Sequence, residues 1–128
     1  MPWIFQQSSG YFMHPDGVTL LTIGYAGGNM GKNPEGKNNP AMQNIVDVGP
    51  IPRGFYTFGE PVDHSTKGPF AIPLIPDPEN EMFGRAGFFW HGDTIANPGC
   101  ASEGCPVSRL FARQAAWESN DHRLQVIQ

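Results

Sequence analysis

Backbone breakers decide what this chain can become. Sixteen glycines and thirteen prolines stand among its 128 residues. Proline offers no N–H to a helix, and glycine loses the most backbone entropy on ordering, so long regular elements are excluded over most of the length. Disorder is excluded as well: 39% of residues are hydrophobic, 12% aromatic and only 16% charged, which supplies a core. A mostly β chain of short strands joined by many turns, folded as a single domain over 1–128, reconciles the two.

The segments read accordingly. "WIFQQ" and "GYFMHPDGVTLLTI" are strands, with Asp16-Gly17 as a hairpin turn. Residues 24–44, "GYAGGNMGKNPEGKNNPAMQN", show no apolar period and form an irregular loop, of the length that in small domains serves function when ordered. "GFYTFG" is a short strand, "GPFAIPLIPDPEN" an edge strand ending in a proline turn, and "AGFFWHG" a buried strand. "PVSRLFARQAAWESN" is the one helix. It is expected to begin directly behind Cys105, with Pro106 in its first turn and Val107, Leu110, Phe111, Gln114 and Ala115 on its inner face. Alternation in "HRLQVIQ" gives a last strand.

Charge narrows the partners. The net charge is −4 and the eight Lys and Arg are scattered, so the clustered positive field that nucleic acid requires is missing. No run approaches the ~20 apolar residues of a membrane span. The opening "MPWIFQQSSGYF" lacks the basic, apolar and small-residue regions of a secretory leader. A chain made in the cytoplasm is expected, retained there or exported without a cleaved leader.

Chemistry concentrates in "GCASEGCPVSR", which carries both cysteines, and in "HGD" just upstream. Three uses of Cys100 and Cys105 compete. A zinc site wants four ligands, and beyond these two and His91 no fourth is local, His64 and His122 being isolated; no metal or other cofactor is expected. A disulfide would close a short loop, with modest gain and only in an oxidising compartment. A nucleophile at Cys105 would draw on the helix N-terminus to lower its pKa, on Gly104 for close backbone approach, and on the Gly104 and Cys105 amides as an oxyanion hole. His91, at the end of a buried strand, is the natural base. The coincidence of these residues favours the nucleophile, with a small thiol redox or metal-binding protein as the rival reading.

"HGDTIANPGCASEGCPVSR" resembles the His…Ser-x-Gly-Cys signature of L,D-transpeptidases, here His91, Ser102, Gly104 and Cys105. "GKNNPAMQN", "VGPIPRGFYTFG", "NEMFGRAGFFWHGD" and "ASEGCPVSR" follow in the order found in type VI secretion effectors with an L,D-transpeptidase-like domain, and "PWIFQQSSG…PDG…GYAG" is similar to the same branch. The resemblance implies an L,D-transpeptidase-like β-sandwich with one helix after the cysteine. It also implies a peptidoglycan enzyme that attacks the diaminopimelate–D-alanine bond of tetrapeptide stems, as L,D-carboxypeptidase or by D-amino-acid exchange. It further implies antibacterial action in the target cell's periplasm, a secretion-machine carrier and an immunity protein. By the same resemblance Cys105 is the nucleophile, His91 the base and the Gly92 carbonyl the third member. Ser102 would support the loop, and Gly104 and Cys105 would give oxyanion amides. Pro106 replaces the usual aliphatic residue, and Cys100 stands where a small or hydroxyl residue is expected. Asn38, Asn39, Arg85 and Arg109 are the candidate substrate contacts, Arg109 at a spacing unlike the family's arginine, while Asp93 reads as a turn residue. A non-catalytic peptidoglycan-binding module of the same fold is the remaining alternative.

Overall fold

The computed structural model describes residues 1–128. Its strands are β1 (Trp3–Gln6), β2 (Tyr11–Met13), β3 (Leu20–Ile23), β4 (Tyr25–Ala26), β5 (Gly54–Phe58), β6 (Val62–His64), β7 (Gly68–Pro76), β8 (Phe89–Trp90), β9 (Pro106–Val107) and β10 (Arg123–Ile127). The single α-helix, α1, spans Leu110–Glu118. One eight-stranded sheet runs β3-β2-β1-β10-β5-β7-β6, with β8 paired to β7; β4 and β9 form a separate pair. The protein is thus mostly β with one helix.

The last strand holds the sheet together. In β10 Leu124 and Val126 are buried while the alternate residues are half-exposed, the period of a strand with one face on a core. β10 lies between β1, which it pairs in parallel from Trp3↔Leu124 to Gln6↔Ile127, and β5, which it pairs antiparallel. Their inner faces supply Trp3, Phe5, Tyr56, Phe58, Leu124 and Val126 to one cluster that also holds Phe12, Ile72, Leu74 and Trp90. Trp90 is the largest fully buried side chain and stacks on Phe12 at 4.8 Å between ring centroids. Truncating such a residue costs about 3–5 kcal/mol.

Four expectations change. The helix starts five residues after Cys105, not directly behind it, because Pro106–Val107 is taken by β4 and by a parallel bridge to His91. The Ser108 N–H goes to the His91 carbonyl, so helical turns begin only at Leu110. Its inner face is also different. Ala112, Arg113 and Ala116 are buried, while Leu110 and Phe111 are 43% and 51% exposed. Two alanines let α1 lie close to β7, and Leu110 and Phe111 are turned out. β7 is not an edge strand: β6 pairs its first half, β5 its last, and β8 its middle at Ile72 and Pro73. Residues 24–44 are also less irregular than composition implies. They contain β4 and three single 3-10 turns, Asn29–Gly31, Pro34–Gly36 and Pro40–Met42.

Candidate active site

The β8–β9 bridge explains why residues far apart in sequence meet. The His91 N–H donates to the Pro106 carbonyl at 3.1 Å, and the Ser108 N–H to the His91 carbonyl at 3.0 Å. His91 is thereby fixed alongside β9, and Cys105 is the residue before β9. Both side chains line one groove of about 530 Å³.

His91 is 2% exposed. Its Nδ1 lies 2.8 Å from the Gly92 carbonyl oxygen. A carbonyl only accepts, so Nδ1 carries the proton and Nε2 presents a lone pair. That Nε2 is buried and has no hydrogen-bond partner. Burial pushes the imidazole down to about 4, with the Gly92 bond opposing and the positive charges of Lys67 and Arg113 assisting. The ring is therefore a neutral base at neutral pH.

Cys105 is buried, and its Sγ accepts from the Phe89 N–H at 3.4 Å. Burial raises the thiol's pKa, against smaller lowering effects of the Phe89 bond, Lys67 and Arg85. This overturns the expected thiolate at a helix N-terminus: the helix begins too late to act on the sulfur. The resting pair is a neutral thiol beside a neutral imidazole, and no hydrogen bond joins them. Both cysteines are free thiols. No group of three or more His, Cys, Asp or Glu side chains converges as a metal site.

Ser102 organises the turn that carries the cysteine. Fully buried, it donates to the Cys105 carbonyl at 2.6 Å and accepts from the N–H groups of Gly27 and Gly104 at 2.9 and 3.0 Å. The Gly104 amide is thus committed to Ser102 and is not an oxyanion donor as expected. The Cys105 N–H, in contrast, donates to no protein group. Gly104 adopts φ 150°, and a Cβ there would collide with Arg85 Nη2.

Arg85 lines the same groove but is tied to the backbone behind this turn. Its guanidinium is bound to four carbonyls, of Gln43, Gly49, Pro50 and Glu103, and rests over the Phe88 ring. It ties the 43–50 loop to the cysteine turn. Arg113, unforeseen in the sequence, does the same on the histidine side: buried in α1, it binds the Ser108, Phe70 and Pro69 carbonyls and packs against Gly92. An arginine between two helix-face alanines was the available signal.

The remaining candidates fall elsewhere. Asn38 Oδ1 accepts from the Ala26 N–H, Asn39 Oδ1 from the Ala41 N–H, and Asn39 Nδ2 donates to the Glu35 carbonyl. Both asparagines serve the turns of their own loop and neither lines the groove. Arg109 is exposed at the N-cap of α1, on a depression that Lys67, Gly92 and Asp93 also line but His91 and Cys105 do not. Asp93 accepts from the Tyr25 hydroxyl and from the Thr94 and Gly99 N–H groups, which makes it the anchor of the loop before Cys100. His64 accepts from the Thr66 and Lys67 N–H groups and His122 bonds the Trp117 carbonyl, and neither histidine lines the groove.

The Tlde1 domain family model matches residues 28–127, which includes His91, Gly92, Ser102, Gly104 and Cys105. No curated protein and no solved structure matches the chain significantly. With the match extending over more than three quarters of its length, the chain belongs to the Tlde1-domain family.

Proposed function

We propose that this protein is a peptidoglycan-modifying cysteine enzyme of the L,D-transpeptidase type, delivered as an antibacterial type VI secretion effector. Its fold would then be a variant of the L,D-transpeptidase sandwich, and its substrate the diaminopimelate–D-alanine bond of a tetrapeptide stem. The observation that carries this reading is the His91 ring. Its Nδ1 is held by Gly92, and its Nε2 is buried, proton-free and without a partner, on the groove that Cys105 also lines. A structural histidine would have its second nitrogen satisfied.

In the proposed reaction Sγ leaves the Phe89 amide and its proton passes to Nε2 as sulfur attacks the amide carbonyl. The oxyanion is received by the free Cys105 N–H. His91 returns the proton to the departing D-alanine nitrogen, leaving a thioester that water hydrolyses or a D-amino acid resolves. Since thiol and imidazole both start neutral, the ion pair forms only as substrate enters. Gly92 supports the imidazolium through Nδ1.

The test is mass spectrometry of disaccharide tetrapeptides incubated with the protein, with and without D-amino acids. Loss or exchange of the terminal D-alanine is expected, abolished in Cys105→Ala and retained in Cys100→Ala. Unchanged tetrapeptide, or equal loss of activity in both variants, would overturn the reading. Exported to the periplasm of a bacterium, the wild-type chain is expected to cause swelling or lysis and the Cys105→Ala chain none.

A further inference from the structure

One cation faces the groove without a partner. The ion pairs of the protein are Arg123 with Asp77 and the N-terminal amine with Asp121. Arg85, which also lines the groove, is saturated by carbonyls. Lys67 has no carboxylate. It lines the groove that holds Cys105 and His91, and also the adjoining one of about 650 Å³ on the other side of His91. It is half-buried, at the start of the return from β6 into β7.

That position is built rather than accidental. His64 Nδ1 accepts from the N–H groups of Thr66 and Lys67, each at 3.1 Å, so the imidazole fixes the turn from inside. The His64 ring meets the Phe89 ring edge-on at 5.1 Å, and Lys67 Nζ is 5.8 Å from the same ring's centroid. Phe89 in turn gives its N–H to Cys105 Sγ. Histidine, phenylalanine and lysine thus form one support that holds an ammonium group near the nucleophile. The charge acts on both reacting groups, favouring the thiolate of Cys105 and the neutral form of His91.

We infer that Lys67 is the specificity-determining residue that binds a free carboxylate of the substrate beside the scissile bond. The inference rests on the proposed function and deepens it. An unpaired ammonium at the mouth of a groove, with its turn pre-set, loses little on pairing with an anion, and a charge-assisted hydrogen bond is among the stronger contacts in a partly desolvated site. A tetrapeptide stem offers two carboxylates near the bond: the C-terminal one of the leaving residue and the one on the diaminopimelate side chain. Binding to either would make the enzyme prefer free acids over amidated stems. The groove's other charges do not compete, since Arg85 is occupied and Asp47 and Glu103 repel an anion.

The test compares three synthetic tetrapeptides: free acid at both positions, amidated at the C-terminus, and amidated on the diaminopimelate side chain. Each is measured with wild type, Lys67→Met and Lys67→Arg, the methionine keeping the apolar stem over Phe89. Lys67→Met is expected to raise KM for the free acid at least tenfold with a smaller change in kcat, Lys67→Arg to restore part of it, and added salt to weaken wild-type binding. For whichever amidated peptide lacks the partner carboxylate, wild type is expected to be as slow as Lys67→Met on the free acid, with no further loss in the variant. That pattern names the carboxylate. An equal loss in Lys67→Met on all three peptides would overturn the inference while leaving the proposed function standing. Wild type inert on all three would overturn both.

Discussion

The histidine ring carries a consequence for stability as well as for chemistry. Folding buries His91 as the neutral form, lowering its pKa from 6.5 to about 4. The unfolded chain therefore binds this proton more tightly than the folded one. Above pH 6.5 neither state is protonated and the group contributes no pH dependence. Between 6.5 and 4 the unfolded state gains a proton that the native state refuses, so stability falls with acid; below 4 the loss levels off. A shift of this size corresponds to about 3 kcal/mol. The measurable form is a difference: the stability gap between wild type and His91→Gln, from urea melts at successive pH values, should change by about that amount between pH 7.5 and 4. A gap independent of pH would mean that the ring titrates as it does in the unfolded chain and is not held neutral by burial. At this scale the sequence was readable where residue type alone limits the chemistry. Cys105, His91 and Ser102 could be read as candidate nucleophile, base and supporting hydroxyl, and the structure sets the first two on one groove and Ser102 under the cysteine turn. The charge state of the thiol was not readable, because it depends on burial and on the distance to a helix end, both set by tertiary pairing.

Elements were legible where periodicity was strong and misplaced where pairing overrode it. The alternation in β10 and the apolar run at β8 marked strands correctly. The start of α1 was misplaced because Pro106 suits a helix's first turn as well as it suits β9, and only the pairing with β4 and His91 chooses. The 24–44 loop makes the same point for side chains. Asn38 adopts φ 52° and bonds Ala26 through both its N–H and its Oδ1, while Asn39 caps the turn at Pro40–Met42. Asparagine is suited to both tasks, since its amide mimics a backbone group and tolerates the left-handed region. Replacing both with alanine removes these side-chain bonds at about 1 kcal/mol each and adds strain at position 38. The double variant is expected to melt about 10 °C lower, with KM for a tetrapeptide unchanged on the folded fraction. A raised KM at an unchanged melting temperature would return both residues to the substrate.

The molecule as a whole depends on a segment that the family match does not reach. The Tlde1 model begins at residue 28, yet β1 lies between β2 and β10 inside the sheet, and Trp3, Phe5 and Phe12 belong to the core. Phe12 is the ring on which Trp90 stacks, one residue before His91, and Gly27 gives its N–H to Ser102. β4, also before residue 28, holds β9 and so the register that sets Cys105 beside His91. The first 27 residues therefore both close the core and position the site. Their aromatic side chains bury about 150–250 Å² each, which at about 25 cal/mol/Å² is on the order of 10 kcal/mol for the three. That is comparable with the whole stability of a typical domain, about 5–15 kcal/mol. Without them one edge of β10 would lose its partner, and Leu124 and Val126 would lose their cover on that side. The fragment 28–128 is expected to show no cooperative thermal transition by circular dichroism and no activity on tetrapeptides. Supplying residues 1–27 as a separate peptide should restore part of both, because β1 docks in register along β10 through four residue pairs. A fragment that melts cooperatively alone, with Cys105 still reactive in its groove, would show that β5, β7 and β10 suffice as a core and that the opening strands are an addition to it.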